Sequence, residues 1–386
     1  MALSKIDVAN MLTGATPVAN GGTALTSGFI NGRENNNNRP MIVNGDMAVA
    51  QRSASTVAQA DDSNEGYATV DKFALFFGNS AGGTITTSRD TTAPTGFGQS
   101  MKLNVTGADT SVASTHIVNL QHSLEAQVIR NSGWNYTSSS SYITLAFQIR
   151  SSKTGTYCIF VQTVDGTSKM YTAEYTVSSA DTWEQKVIAI PGDSGISFDD
   201  DANKGLNIGW VLAVGSGRSG TAGSWTTGNA FGTSNQVNFL DSTDNIAYIT
   251  AVQLEVGQFT SSTLPPFQHE SFGDNYRRCQ RYCYQITSDS SVDTDIISMT
   301  GTGSAAFGAF RFPVQMRSAP TVSDSGDSDF SLFGDTSGTP SSLRGDRTNS
   351  NTTGIVSDTS VSAGDSVNLR LDSDSGNKYL RFDADL

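Results

Sequence analysis

The sequence predicts an all-β protein: an extended N-terminal arm, a central β-sandwich and a smaller C-terminal β-sandwich. Three observations predict it: short runs of alternating apolar and polar residues, a background rich in Gly, Ser, Thr, Asn and Asp, and an opening over residues 1–40 poor in apolar groups. Alternation marks half-buried strands, because successive side chains point to opposite faces of a sheet. The background supplies turns: Gly adopts positive φ at no steric cost, and Asn, Asp and Ser bond to their own backbone. Leu, Ala, Glu and Lys never accumulate over a window long enough to propagate a long helix.

Residues 1–40 form the arm. Residues 1–12 are mildly amphipathic, and the stretch around Pro17, Asn20, Gly21 and Gly22 combines a fixed φ with positions where backbones can approach closely. Such a segment has too few apolar groups to offset its own ordering entropy, so it is either disordered, as a free flexible linker would be, or ordered against another chain. The expectation is a threefold axis near Pro17, Asn20, Gly21 and Gly22.

From residue 41 the pattern becomes alternation. Strands are expected over 101–105, 142–149, 157–164, 170–177, 185–190, 206–214 and 247–256, separated by turn-rich pieces. Residues 121–130 fit a short helix or a strand. Each sheet must bury its apolar face on another, which gives a sandwich over 41–273. Asn44–Gly45 signals a tight turn. Trp183 and Trp210 lie on or beside alternating strands and are expected in the core, whereas Gln253 and Glu255 are expected to face outward or a neighbouring subunit.

The third part covers 274–386. Asp274 is placed to cap a brief helix through Arg281, and strands follow over 306–314, 330–333, 361–371 and 379–382. Residues 323–360, dominated by Ser, Gly, Asp and Thr, are expected as surface loops. Residues 372–377 fit a hairpin loop better than calcium: the Gly comes one position early for an EF-hand, and no helices flank it.

Composition narrows the function. Lys+Arg 24 against Asp+Glu 37 gives a net charge of −13, opposed to nucleic-acid binding, which rests on clustered cations. Arg277, Arg278 and Arg281 are expected to pair with carboxylates or carbonyls. Cys158, Cys279 and Cys283 suit small buried hydrophobes rather than a disulfide framework or zinc site. No membrane insertion and no signal peptide are expected. His116, His122 and His269 lack ligand spacing, so no metal or other cofactor is expected. His116 and His122 are expected on a strand or helix surface. No nucleophile elbow is present, and no catalytic residue is assigned. A flat aromatic face stacks on a pyranose ring; the loop aromatics Trp134, Tyr136, Trp225 and Phe231 are the candidates for carbohydrate binding.

A set of segments carries a resemblance. Residues 42–47 (IVNGDM) with Gln51–Arg52, then 70–73 (VDKF), resemble the opening of a domain common in phage tail fibres. Residues 180–184, 190–193 and 205–210 resemble its middle, and 249–257, 266–271 and 278–282 its end. In that family the region is a jelly roll similar to carbohydrate-binding modules. The segment at Pro17 is similar to one that recurs in fibre shafts, present here once; 312–320 and 383–386 resemble the start and end of the family's C-terminal β domain. The resemblance implies a non-enzymatic virion protein. It would be a homotrimeric tail fibre attaching to the host surface, with residues 1–40 docking on tail or capsid proteins. A purely architectural capsid fibre or tail adaptor, and a glycan-degrading tail spike, are the alternatives.

Overall fold

A computed structural model describes residues 29–30, 33–34, 40–53, 55–60, 65–374 and 378–386. The arm positions Pro17, Asn20, Gly21 and Gly22 lie outside them. Within 1–40, β1 (Phe29–Ile30) pairs antiparallel with β2 (Arg33–Glu34).

Among the described residues, the larger unit has twelve strands and one short α-helix, with 3-10 turns at Ser216–Arg218 and Phe239–Asp241. In chain order they are β3 (Val57–Gln59), β4 (Ala74–Gly78), β5 (Thr84–Asp90), β6 (Ser100–Gly107), β7 (Ile117–Glu125) and α1 (Ala126–Arg130). Then follow β8 (Tyr142–Ser151), β9 (Gly155–Thr163), β10 (Met170–Val177), β11 (Glu184–Pro191), β12 (Lys204–Val214), β13 (Trp225–Thr226) and β14 (Ile246–Val256). Two antiparallel six-stranded sheets result, ordered β13-β10-β9-β12-β7-β4 and β11-β8-β14-β6-β5-β3. The alternation works as expected: Ile143, Leu145, Phe147 and Ile149 of β8 enter the core with Leu206, Ile208, Trp210 and Leu212 of β12. This is the jelly-roll sandwich. Residues 121–130 resolve into both alternatives, the end of β7 followed by α1.

Asn44 and Gly45 do more than turn. Asn44 has φ 61°, and its buried amide bonds Val49 in both directions and the Asp71 carbonyl. Gly45 is required for space: a Cβ there would lie 2.1 Å from the Val252 carbonyl oxygen. Opposite it β14 bulges, with Ala251 at φ 55°.

After α2 (Phe272–Gln280) comes the smaller sandwich. Its strands are β15 (Cys283–Thr287), β16 (Thr294–Gly301), β17 (Ala306–Arg311), β18 (Thr321–Asp324), β19 (Phe330–Gly334), β20 (Leu343–Asp346), β21 (Thr352–Ser357), β22 (Ser366–Leu371) and β23 (Tyr379–Asp383). A three-stranded sheet, β15-β23-β18, faces a six-stranded one, β19-β22-β16-β17-β21-β20. Phe330, Leu369, Leu371, Leu380 and Phe382 fill the space between.

Several expectations are corrected. Residues 323–360 hold the expected strand β19 and also β20 and β21 in place of loops alone; Gly345, Asp346, Thr352, Thr353 and Gly354 give those two strands the composition of a loop. Residues 372–377 do not close a hairpin, because β22 and β23 lie in opposite sheets and the chain crosses between them. Ser271, not Asp274, caps α2: its hydroxyl accepts the Asp274 amide and donates to the Asp274 carboxylate at 2.7 Å. His122 is fully buried against Phe73 rather than on a surface. Trp210 is in the core, but Trp183 is only half-buried and belongs to no core cluster. Gln253 is buried, its amide donating to the Pro265 carbonyl.

Candidate functional site

Some of the segments that carried the resemblance, at 51–52, 70–73, 278–282 and 383–386, meet where the two sandwiches touch. Arg52 is its centre. Its guanidinium is 3% exposed and contacts Asp383 at 2.6 Å, Asp385, and Asp71 at 3.9 Å. Asp71 accepts from the Gln51 amide and side chain, and Gln51 also donates to the Cys283 carbonyl. A second knot joins α1 to α2: the Glu125 carboxylate accepts from Arg281 at 2.6 and 2.7 Å and from the Tyr282 hydroxyl at 2.7 Å. Arg317 closes the seam, donating to the carbonyls of Ala384, Asp385 and Ala202.

Lys72 lies between the knots, 1% exposed, its ammonium 3.5 Å from the centroid of the Tyr282 ring. Burial lowers its pKa to about 8, against the pull of Asp385 and Glu125. Burial raises the Asp385 carboxyl to about 7 despite Arg52, with Asp383 adding to the rise. Burial raises Asp71 and, far more, the thiols of Cys279 and Cys283. Glu125 stays below the usual range because its bonds from Arg281 and Tyr282 outweigh desolvation. Arg52, Asp71, Lys72 and the two thiols are too enclosed for a substrate. Their chemistry is cohesion, since buried charges persist only when paired and hydrogen-bonded.

Beside this seam opens a cleft of about 720 Å³ lined by Met41, Glu125, Gln268, Arg278, Arg281 and Tyr282, among others. Arg278 pairs with Glu270 at 2.5 Å and Arg281 with Glu125, as expected of them. Among the described residues, no group of three His, Cys, Asp or Glu side chains is arranged to hold a metal.

The loop aromatics do not form one platform. Trp134 is 3% exposed, with its indole N–H on the Ser141 carbonyl, so it has no face to offer a ligand; it anchors its loop. Tyr136 packs edge-on against Phe198. Trp225 donates to the Pro191 carbonyl at 2.7 Å and lies against Tyr171. Phe231 stands edge-on over Phe160, on the outer side of the first sheet. All three are half-buried.

An aromatic and basic row lies elsewhere, on the outward face of the second sheet. Arg150 and Lys102 both stand opposite Tyr248 in register, one on each side, and Trp183 precedes β11 beside Arg150. The Arg150 guanidinium is 5.3 Å and the Lys102 ammonium 5.8 Å from the Tyr248 centroid, and Trp183 tilts toward that ring at 6.3 Å. The backbone register brings these residues together from four strands, so no local motif announces them. The one signal available was parity: Lys102 and Tyr248 occupy the non-core positions of two strands expected from sequence, and Arg150 lies one residue beyond a third, which the structure extends to Ser151.

No family model and no curated protein matches the chain. Solved structures show distant likeness. The enzymatically active domain of bacteriophage CBA120 tailspike protein 4 is 13% identical at a TM-score of 0.30, over 56% of this chain and 21% of that one. The family 11 carbohydrate-binding module of a Clostridium thermocellum cellulase is 13% identical at 0.27, over 54% and 98%. The xylan-binding domain of a family 22 module is 12% identical at 0.28, over 53% and 96%. Likeness at this level says nothing of ligand or assembly.

Proposed function

We propose that the chain is a non-enzymatic structural subunit of a phage particle, a homotrimeric fibre that attaches to a glycan on the host surface. The observation that supports it most is the seam itself. Segments near residues 44–52, 71–72, 278–282 and 383–385 were singled out for their resemblance to fibre proteins, and they fold into one buried interlock. A fibre needs that property: two modules fixed to each other so that a load on one is carried by the other. The large cleft is lined by two carboxylates, Glu255 and Glu125, of which Glu125 is held by Arg281 and Tyr282. Residues 1–40 are the particle anchor and the trimer contact in this reading.

Light scattering on the full chain tests the assembly: the expected mass is that of three chains, and a stable monomer would refute the trimer. Retention of the labelled full chain on bacterial envelopes tests attachment. Failure to be retained by any envelope would leave a purely architectural subunit instead.

A further inference from the structure

We propose that the outward face of the second sheet binds an acidic polysaccharide, with Trp183 as the stacking wall and Lys102 and Arg150 as partners for its carboxylates. The proposal rests on the attachment reading and names the ligand class of that attachment. A row running Trp183, Arg150, Tyr248, Lys102 and Ser88 crosses the sheet. Two strand spacings separate the cations, roughly 9–10 Å. Tyr248 is 9% exposed, so its ring acts as a floor that positions both cations by attraction to the negative π face. Trp183 keeps an open part of its ring beside them.

Charge decides the ligand class. Asp181 holds one side of Arg150, through its carbonyl at 2.8 Å and its carboxylate at 3.2 Å. Asp90, on the same face, accepts the Thr92 amide. Lys102 makes no ion pair among the described residues. A cation left unpaired on a chain of net charge −13 marks a place where an anion is favoured, and a neutral sugar would leave it uncompensated. Gln148 and Gln185, one step along the sheet, add amides for hydroxyls. A row of side chains contributed by neighbouring strands suits a polymer lying across them. A nucleic acid demands a broader run of cations than two.

The test uses the full chain on immobilised uronate-bearing bacterial polysaccharides, each beside its carboxyl-reduced, neutral counterpart, with single-stranded DNA as a third ligand. Binding to at least one acidic polymer is expected, at least tenfold weaker after carboxyl reduction and falling with salt. Lys102→Gln and Trp183→Ala should each weaken it tenfold or more while the melting temperature stays put. No acidic polymer bound, equal binding to the reduced forms, indifference to both substitutions, or preference for DNA would each overturn the proposal. Envelope retention separates the two readings. If both variants are retained as well as the parent chain, this face is not the site and attachment stands. If the parent chain is not retained, attachment falls and the polysaccharide binding judges this face alone.

Discussion

Asp385 is the residue through which pH acts most directly on this fold. Burial lifts its carboxyl to about 7, against an ordinary value of 3.8. Between these two values the folded chain holds a proton that the unfolded chain has lost, so stability falls as pH rises through that window. Lys72, lowered to about 8 by burial, acts with the opposite sign higher up: stability rises from pH 8 toward 10.5. Neutral, buried His122, its pKa held well below 6.5 by burial and the charge on Lys72, costs stability as pH falls below 6.5. A difference measurement separates these effects. Urea unfolding at pH 5 and 7.5 should show the parent chain losing more stability over that rise than Asp385→Asn does; equal losses would mean Asp385 ionises normally. The same scale explains the aromatic loops. Trp134 and Trp225 carry N–H groups that must be satisfied once the ring is buried, and the carbonyls of Ser141 and Pro191 do so. A turn-rich context in the sequence could not distinguish an anchored ring from a presented one.

At the scale of elements, α2 is short, and its cap carries much of its definition. The Ser271 hydroxyl both accepts the Asp274 amide and donates to its carboxylate, and Asp274 is favourably placed in the first turn. Ser271→Ala should cost about 1 kcal/mol, read as a lowered urea midpoint; no change would show that the tertiary contacts of Arg278 and Asn275 alone define the helix start. Strands β6, β8 to β12 and β14 of the first sandwich were legible because the side chains entering the core are Ile, Leu, Val and Phe on a period of two, whereas β3, β4, β5 and β13 were not anticipated. β20 and β21 were not, because their outward residues resemble loop composition. Only the pairing of β21 with β17, and of β20 with β21, gives those residues a reason to extend.

At the scale of the molecule, the seam makes two sandwiches into one mechanical unit. Arg52→Ala would strand Asp71, Asp383 and Asp385 without their shared cation, a loss of about 3–5 kcal/mol. Calorimetry should then show the C-terminal sandwich melting in a separate, earlier transition, where the parent chain melts in one. A single transition in the variant would mean that the apolar contacts of Val43, Val49, Cys279 and Tyr282 suffice to couple the modules.

The sequence by itself determined the all-β class, most strands of the larger sandwich, the buried thiols and the pairing of Arg278 and Arg281, since these follow from local alternation, composition and charge. Tertiary structure alone decided that the IVNGDM, VDKF and DADL segments form one interlock, that His122 is interior, that Trp183 is not, and that Lys102, Arg150 and Tyr248 share a face. Those facts depend on strand register and sheet order between residues far apart in the chain, and a period-two pattern fixes which way a side chain points without saying what stands beside it.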